Sequence, residues 1–293
     1  MAGHPVVAIA PIEDDLQHAG KRITSHLQHS LEQGLVDQEP AFFLKNLQIS
    51  MDYSALKYCR LVIECTLENE EIKRSVYEKI EKVIADDALL VSNTSAIPIS
   101  ILQKLTKHPE RFFGLHWAEP SHTTRFLEII CGELSDVSRG EELYQLSHKW
   151  GKEPTLVRKD IRGFITNRLM YAMYREAFYL VENGYATIED IDRACRNNAG
   201  YWMTLLGVFG WMDLTGVQAY HNVMKELFPT LSNSKEVPKL IDDIVKNGGR
   251  GVTNGKGFYN YTPEQAKELE EIFTEFSFDI RNLAMKYNKK MNR

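Results

Sequence analysis

The chain has 293 residues, of which 43% are hydrophobic and 26% charged, and its formal net charge is −5. This length suits one large domain or two ordinary ones. The negative charge argues against a nucleic-acid or anionic-membrane partner, and no apolar run reaches the roughly 18 residues that span a bilayer. The N-terminal residues lack the basic start of a signal peptide, so we expect a cytoplasmic protein.

Strand and helix patterns alternate along the first half of the chain. Residues 6–10 (VVAIA) predict a short buried strand, and residues 14–36 repeat apolar side chains at helical spacing. Residues 59–67 and 88–97 predict two more buried strands, with an amphipathic helix at 70–85 between them. Later segments of the same kind are the helix ISILQKLTKH, the strands FFGLHW and RFLEIICG, the helix SRGEELYQLSHKWGK and the strand EPTLVRK. This alternation predicts a mostly parallel sheet with crossover helices.

Only helices are predicted after this alternation ends. The last of them has Thr262 at the N-cap, Pro263 at N1 and Gln265 at N3. The fold class is therefore α/β followed by all-α, with domains at 1–160 and 161–293. The four sparse cysteines have no C-x-x-C spacing, so we expect reduced thiols and no metal site.

Clusters of polar residues lie at the ends of three predicted strands, and these clusters cover residues 64–73, 92–95 and 116–120. Ligands of parallel sheets bind at the carboxyl ends of strands, which makes these clusters candidate site residues. Ser95 by itself would more often be a structural turn residue at the end of a strand. Asn167 begins the first helix of the second domain, where an amide can face a cleft between domains, although a solvated helix position is the plainer interpretation.

Glu128 lies in the apolar run FLEII, where a buried carboxylate needs a partner. Antiparallel pairing of residues 113–117 with 126–131 would bring Glu128 beside His116. The carboxylate would then fix the imidazole tautomer and raise its basicity, which leaves the other nitrogen free to exchange a proton with substrate. A structural His–Glu pair is the alternative.

Six segments occur in one order and together resemble the 3-hydroxyacyl-CoA dehydrogenase family from about Ala2 to Tyr261. They are LVIECTLENEEIK, SNTSAIPI, GLHWAEP, FLEII, GFITNRLM and GKGFYNY. The resemblance implies a Rossmann-like domain, a helical dimerisation domain, a homodimer, and NAD-dependent oxidation of 3-hydroxyacyl-CoA to 3-ketoacyl-CoA in fatty acid metabolism.

The resemblance also implies residue roles. His116 would be the general base and Glu128 would orient its ring. Ser95 and Asn167 would hydrogen-bond the oxygens of the substrate. The implied cofactor contacts are Glu68, Lys73 and Ser95.

The N-terminal part departs from the family pattern. The glycine-rich G-x-G-x-x-G loop is missing from the sequence, and so are the strand before it and most of the helix after it. Ala10 stands in place of a ribose-binding Asp, Glu119 in place of Asn, and Thr253 in place of Lys. We favour a truncated gene product or a misassigned start, and we expect two unpaired sheet edges. A divergent relative with weak NAD binding is the alternative.

Two other functions remain open at this point. One is a dehydrogenase of a free 3-hydroxy acid, of the carnitine or gulonate type. The other is an inactive homologue that dimerises or binds acyl-CoA.

Overall fold

The computed structural model of the protein describes residues 1–291. The chain divides into two compact units, Met1–Thr166 and Asn167–Arg293. The first unit contains strands and helices, whereas the described part of the second contains helices and isolated β-bridges. The predicted fold class, α/β followed by all-α, is confirmed. Within the described residues, no helix is both long and apolar enough to cross a membrane.

Seven strands and five helices build the first unit. The strands are β1 (Val6–Ile9), β2 (Leu47–Ser50), β3 (Leu61–Glu64), β4 (Leu89–Ser92), β5 (Phe112–His116), β6 (Glu128–Cys131) and β7 (Thr155–Val157). The helices are α1 (Glu13–Glu32), α2 (Pro40–Leu44), α3 (Glu70–Ile80), α4 (Ile99–Leu102) and α5 (Val137–His148). Short 3₁₀ turns follow β2 and α4 and precede β5.

The strands form two sheets. Strands β3 to β7 lie side by side in sequence order, and all neighbours are parallel except the antiparallel pair β5 and β6. Strands β1 and β2 form a separate parallel pair. Within residues 1–291, four strands pair with one strand only, namely β1, β2, β3 and β7, so the expected open edges at β1 and β3 are among four sheet edges.

Period-2 alternation along the buried strands gives the large sheet two apolar faces. One face carries Leu90 and Phe112, which belong to the same core as Tyr77 of α3. The other face carries Val91 and Phe113, which share a core with Leu143 of α5. Val7 and Ile9 of β1 pack against the first core, although β1 is not hydrogen-bonded to the large sheet.

Four predicted helices end earlier in the structure, and two of these are α3, which ends at Ile80 rather than at residue 85, and α5, which ends at His148 rather than at residue 152. Helix α1 ends at Glu32 rather than at residue 36, because Gly34 adopts a positive φ of 68° that stops the helix. The helix expected from ISILQKLTKH is a four-residue helix, α4, followed by a 3₁₀ turn at Gln103–Leu105. The side chain of Gln103 bonds the backbone carbonyl of Pro109 and the Ser135 hydroxyl, which fixes the chain there.

The second unit contains six helices in its described part. They are α6 (Thr166–Glu182, with its first residue in the first unit), α7 (Ile188–Ala194), α8 (Gly200–Thr215), α9 (Val217–Leu227), α10 (Lys239–Lys246) and α11 (Pro263–Met291). The predicted start of α11 is confirmed, because Thr262 and Gln265 exchange side-chain to backbone hydrogen bonds of 2.9 and 3.2 Å. Helix α8 is interrupted at Gly207, whose φ of 66° is not helical.

Candidate active site

His116 and Glu128 lie side by side, as predicted from the sequence. Strands β5 and β6 pair antiparallel with these two residues directly opposite each other. His116 Nδ1 is 2.9 Å from Glu128 Oε2, and both side chains are buried. An ionised carboxylate only accepts hydrogen bonds, so this contact places the proton on Nδ1 and leaves Nε2 as the basic nitrogen. The predicted contact is confirmed, and the catalytic role of the pair stays a prediction.

The second oxygen of Glu128 is bound by the segment that leads into α6. Glu128 Oε1 accepts hydrogen bonds from the backbone N–H groups of Ile165 at 3.1 Å and Thr166 at 2.9 Å, and from the Thr166 hydroxyl at 3.2 Å. Burial by itself raises the pKa of the Glu128 carboxyl. The bonds from His116 and from the Thr166 N–H outweigh burial, so the pKa lies below its usual value. Glu128 is therefore held ionised in a fixed orientation.

Ser95 completes a chain of three side chains. Its Oγ lies 3.2 Å from His116 Nε2, the nitrogen that Glu128 leaves free. The preceding strand β4 is buried, whereas Ser95 itself is exposed. Ser95 is therefore the exposed end of this chain of side chains, and His116 and Glu128 are its buried end.

Glu68 holds the loop that carries Ser95. Glu68 Oε1 accepts hydrogen bonds from the backbone N–H groups of Ser95 and Ala96, both at 3.0 Å, and from the Thr94 hydroxyl. Burial raises the pKa of the Glu68 carboxyl, but these hydrogen bonds and the charge of Lys73 bring the pKa below its usual value. The partly exposed carboxylate thus acts on the loop, and a contact between Glu68 and the cofactor stays a prediction.

Lys73 lies in the interior beneath this loop. Its side chain is 0% exposed, and its Nζ donates to the two carboxylate oxygens of Glu64 at 3.0 and 2.9 Å. Glu68 is 3.6 Å from the same ammonium. A direct contact between Lys73 and the cofactor, which the resemblance implies, would require this buried ion pair to open.

Two residues of this region were not found from the sequence. Phe164 adopts a positive φ of 51°, rare for a residue with a side chain, and its buried ring lies 5.6 Å from the His116 ring. The exposed Arg162 donates through Nη1 to the carbonyl of Ala96 at 3.4 Å. The only local signal was Gly163 in RGFIT, because a glycine before a helix often marks a special backbone conformation.

The remaining predicted positions lie in different places. Asn167 is the second residue of α6 and belongs to the second unit, so its substrate contact stays a prediction. Ala10 is buried just after β1, and its methyl group cannot accept a hydrogen bond from a ribose. Glu119 is exposed three residues after His116, and Thr253 lies in a 3₁₀ turn of the second unit.

A mostly parallel sheet with a buried, carboxylate-bound histidine at the carboxyl end of a strand is compatible with a dinucleotide-dependent dehydrogenase. The family profile for the 3-hydroxyacyl-CoA dehydrogenase NAD-binding domain matches residues 1–161, and the profile for the C-terminal domain matches residues 163–261. The chain belongs to the 3-hydroxyacyl-CoA dehydrogenase family of NAD-dependent oxidoreductases.

Individual relatives differ in the substrates that their names state. The chain is 37% identical over 210 residues to 5-formyl-3-hydroxy-2-methylpyridine 4-carboxylate 5-dehydrogenase of Mesorhizobium japonicum, covering 72% of this chain and 68% of the relative. A crystal structure of an enzyme of that name, described as an NAD⁺-dependent dismutase, has a TM-score of 0.89 at 30% identity, covering 97% of this chain and 92% of the other. The (S)-3-hydroxybutyryl-CoA dehydrogenase of Ralstonia eutropha has a TM-score of 0.72 at 27% identity, covering 89% and 92%.

NAD, the cofactor of the family, fits the region of Ser95 and His116 better than the region of β1 and α1. The exposed Ser95 beside His116 suits the reacting end of a substrate–cofactor pair. The pyrophosphate of NAD has no comparable binding loop, because the residues described include no glycine-rich loop between a strand and a helix N-terminus. The helix after β1 begins instead with Glu13, Asp14 and Asp15, whose charges disfavour an anion.

Proposed function

We propose that this protein oxidises a hydroxyl group on a small organic substrate in an NAD-linked reaction. The observation that carries the proposal is the hydrogen-bonded chain Ser95–His116–Glu128, which ends on an exposed hydroxyl. A proton acceptor with its tautomer fixed by a buried carboxylate suits the removal of a hydroxyl proton.

In this proposal each side chain has a separate task. The substrate hydroxyl bonds to Ser95 Oγ and His116 Nε2, and Nε2 takes its proton as the carbon–oxygen double bond forms. Glu128 stabilises the resulting imidazolium through Nδ1. Phe164 covers the ring, and Glu68 keeps the Ser95 loop in place. Bound NAD supplies the acceptor for the hydride that leaves the same carbon.

The substrate is the part of the proposal with two candidates. A 3-hydroxyacyl-CoA is favoured by the family profiles and by the Ralstonia relative. A small free acid is favoured by the pyridine 4-carboxylate relative, which has 37% identity, and by the structure with a TM-score of 0.89. We propose the free acid, because the likeness in sequence and in structure is higher on that side.

The test measures NADH formation at millimolar NAD, which offsets weak cofactor binding. Purified protein is given 3-hydroxybutyryl-CoA, free 3-hydroxybutyrate, and a pyridine 4-carboxylate that carries a hydroxymethyl group. We expect oxidation of a free acid that is lost in His116→Ala. Turnover of the CoA ester alone would replace the free-acid substrate, and no turnover of any of the three would overturn the proposed function.

A further inference from the structure

We propose that Lys73 is a positioning residue that acts through Glu68 on the loop that carries Ser95. This inference rests on the proposed function, because Ser95 is the residue that meets the substrate hydroxyl in that proposal. It gives Lys73 a task that differs from the cofactor contact implied by the family resemblance.

The ammonium of Lys73 is held from the interior of the first unit. Its Nζ donates to the two carboxylate oxygens of Glu64 at 3.0 and 2.9 Å, and to the hydroxyl of Ser92 at 3.4 Å. The side chains of Lys73 and Glu64 are both 0% exposed. Because removal of either partner would leave an unpaired buried charge, the ion pair keeps the ammonium in one position.

Glu68 joins this ammonium to the loop, since its two carboxylate oxygens have different partners. Glu68 Oε2 is 3.6 Å from Lys73 Nζ, which is an ion-pair distance rather than a hydrogen bond. Glu68 Oε1 accepts hydrogen bonds from the backbone N–H groups of Ser95 and Ala96, both at 3.0 Å. The carboxylate therefore contacts the ammonium through one oxygen and the loop through the other.

The charge of Lys73 favours the ionised form of Glu68, which is the stronger hydrogen-bond acceptor. Burial raises the pKa of the Glu68 carboxyl, whereas its hydrogen bonds and the charge of Lys73 bring the pKa below its usual value. A hydrogen bond to a charged acceptor is about twice as strong as one to a neutral acceptor. The ammonium thus strengthens the bonds from Glu68 to the backbone of Ser95 and Ala96.

A cofactor contact is the other role open to Lys73, and the partners of its ammonium argue against that role. Four oxygens lie within 3.4 Å of Nζ, namely the two of Glu64, the carbonyl of Thr66 and the hydroxyl of Ser92. An ammonium has three donors, so these oxygens already use all of them. A cofactor phosphate would have to displace one of these partners, whereas the contact with Glu68 requires no change.

The experiment removes the ammonium without leaving an unpaired buried charge. The double variant K73M/E64Q makes both members of the ion pair neutral, which a buried site tolerates better than the loss of one partner. K73Q/E64Q is the second double variant, because glutamine keeps a neutral donor at position 73. Tyr77→Phe is the matched control, since the Tyr77 hydroxyl also bonds Glu64, at 3.1 Å, from an equally buried position. Each variant must show a cooperative thermal transition.

The first readout does not depend on turnover. Hydrogen–deuterium exchange followed by mass spectrometry reports on the peptide around Ser95 and Ala96, whose N–H groups bond to Glu68. We expect exchange at least about threefold faster in K73M/E64Q and in Glu68→Gln, and the wild-type rate in Y77F. Adding E68Q to the double variant should give no further increase, because both changes act through the same carboxylate.

The second readout separates the two roles of Lys73. K73M/E64Q should lower kcat at least about threefold and keep the NADH affinity from calorimetry within about twofold of the wild type. A weaker NADH affinity with unchanged kcat would assign Lys73 to the cofactor instead. Unchanged amide exchange in both double variants, or an additive effect of E68Q, would overturn the action through Glu68. If the wild type oxidises none of the three test substrates, the proposed function fails, while amide exchange still decides the role of Lys73.

Discussion

His116 has one ring nitrogen bound to Glu128 and the other within 3.2 Å of Ser95. A general base in this position typically contributes 10²–10⁴-fold to the rate. We therefore expect His116→Ala to lower kcat by at least about a hundredfold in steady-state assays of the NAD-loaded enzyme. Substrate binding measured by calorimetry should change little. A decrease in kcat below about tenfold would contradict the assignment of His116 as the base.

Thr166 offers a more selective test of the dyad, because it contacts Glu128 and not His116. Thr166→Val removes the hydroxyl bond of 3.2 Å but keeps the backbone bond of 2.9 Å. A hydrogen bond to a charged group contributes about 1.5–3 kcal/mol, so urea denaturation should show a loss of unfolding free energy in or below that range. The pH profile of kcat should shift, and Thr166→Ser should restore both. An unchanged profile in T166V would limit Thr166 to a structural role.

The lowered pKa of Glu68 predicts how the stability of the folded protein depends on pH. Hydrogen bonds hold its folded pKa below the usual 4.5, so the folded state favours the ionised form. The contribution of the Glu68 carboxylate to the free energy of unfolding is complete above its pKa in the unfolded state. This contribution is lost as the pH falls through its pKa in the folded state. The wild type should thus be more stable than Glu68→Gln near neutral pH, and the difference should shrink below about pH 4. Denaturation of both proteins across this range is the measurement, with Glu71→Gln as the control, because Glu71 is an exposed glutamate in the first turn of α3.

At the level of elements, the sequence was most informative where the local pattern and the tertiary structure agree. The pairing of β5 with β6 was predictable because a lone carboxylate in an apolar run needs a partner on the neighbouring strand. The start of α11 was predictable because capping uses only local residues. The path of residues 160–166 was not, since contacts with His116, Glu128 and Ala96 determine it across 30 or more positions of sequence.

The pair of strands β1 and β2, with the helix α1 between them, leads to a prediction about the affinity for the cofactor. Within the described residues β1 pairs only with β2, and α1 begins with three acidic residues. Ala10 cannot accept a bond from a ribose hydroxyl. Each lost charge-assisted hydrogen bond weakens binding by roughly 1.5–3 kcal/mol, and 1.4 kcal/mol is about a tenfold change.

We therefore expect this 293-residue chain to bind NADH weakly, with a dissociation constant above the micromolar range. Calorimetric titration with NADH measures this constant. A cooperative thermal transition of the same sample would exclude unfolding as the reason for weak binding. Micromolar binding would show that neither a glycine-rich loop nor a hydrogen-bond acceptor at residue 10 is needed for the cofactor, and would contradict the prediction.

At the scale of the whole molecule, the helices of the second unit expose an unusual amount of apolar surface. Helices α6 to α10 contain no buried residue, whereas every residue of β4, β5 and β6 is buried. Phe209 and Leu214 of α8 are 78% and 68% exposed. Monomers rarely expose contiguous apolar patches larger than a few hundred Å², so a second copy of the chain is the simplest cover for this surface.

We predict a two-fold homodimer formed largely by this unit, and light scattering after size exclusion should report twice the mass of 33.7 kDa at micromolar concentration. Replacing Phe209 and Leu214 together by Glu places charges in the apolar contact and should shift the equilibrium to monomer. Tyr58→Glu is the matched control, because Tyr58 is 86% exposed but lies in the first unit. Circular dichroism of each variant distinguishes dissociation from unfolding. A wild-type monomer at micromolar concentration would contradict the prediction, and so would a dimer that survives both glutamates.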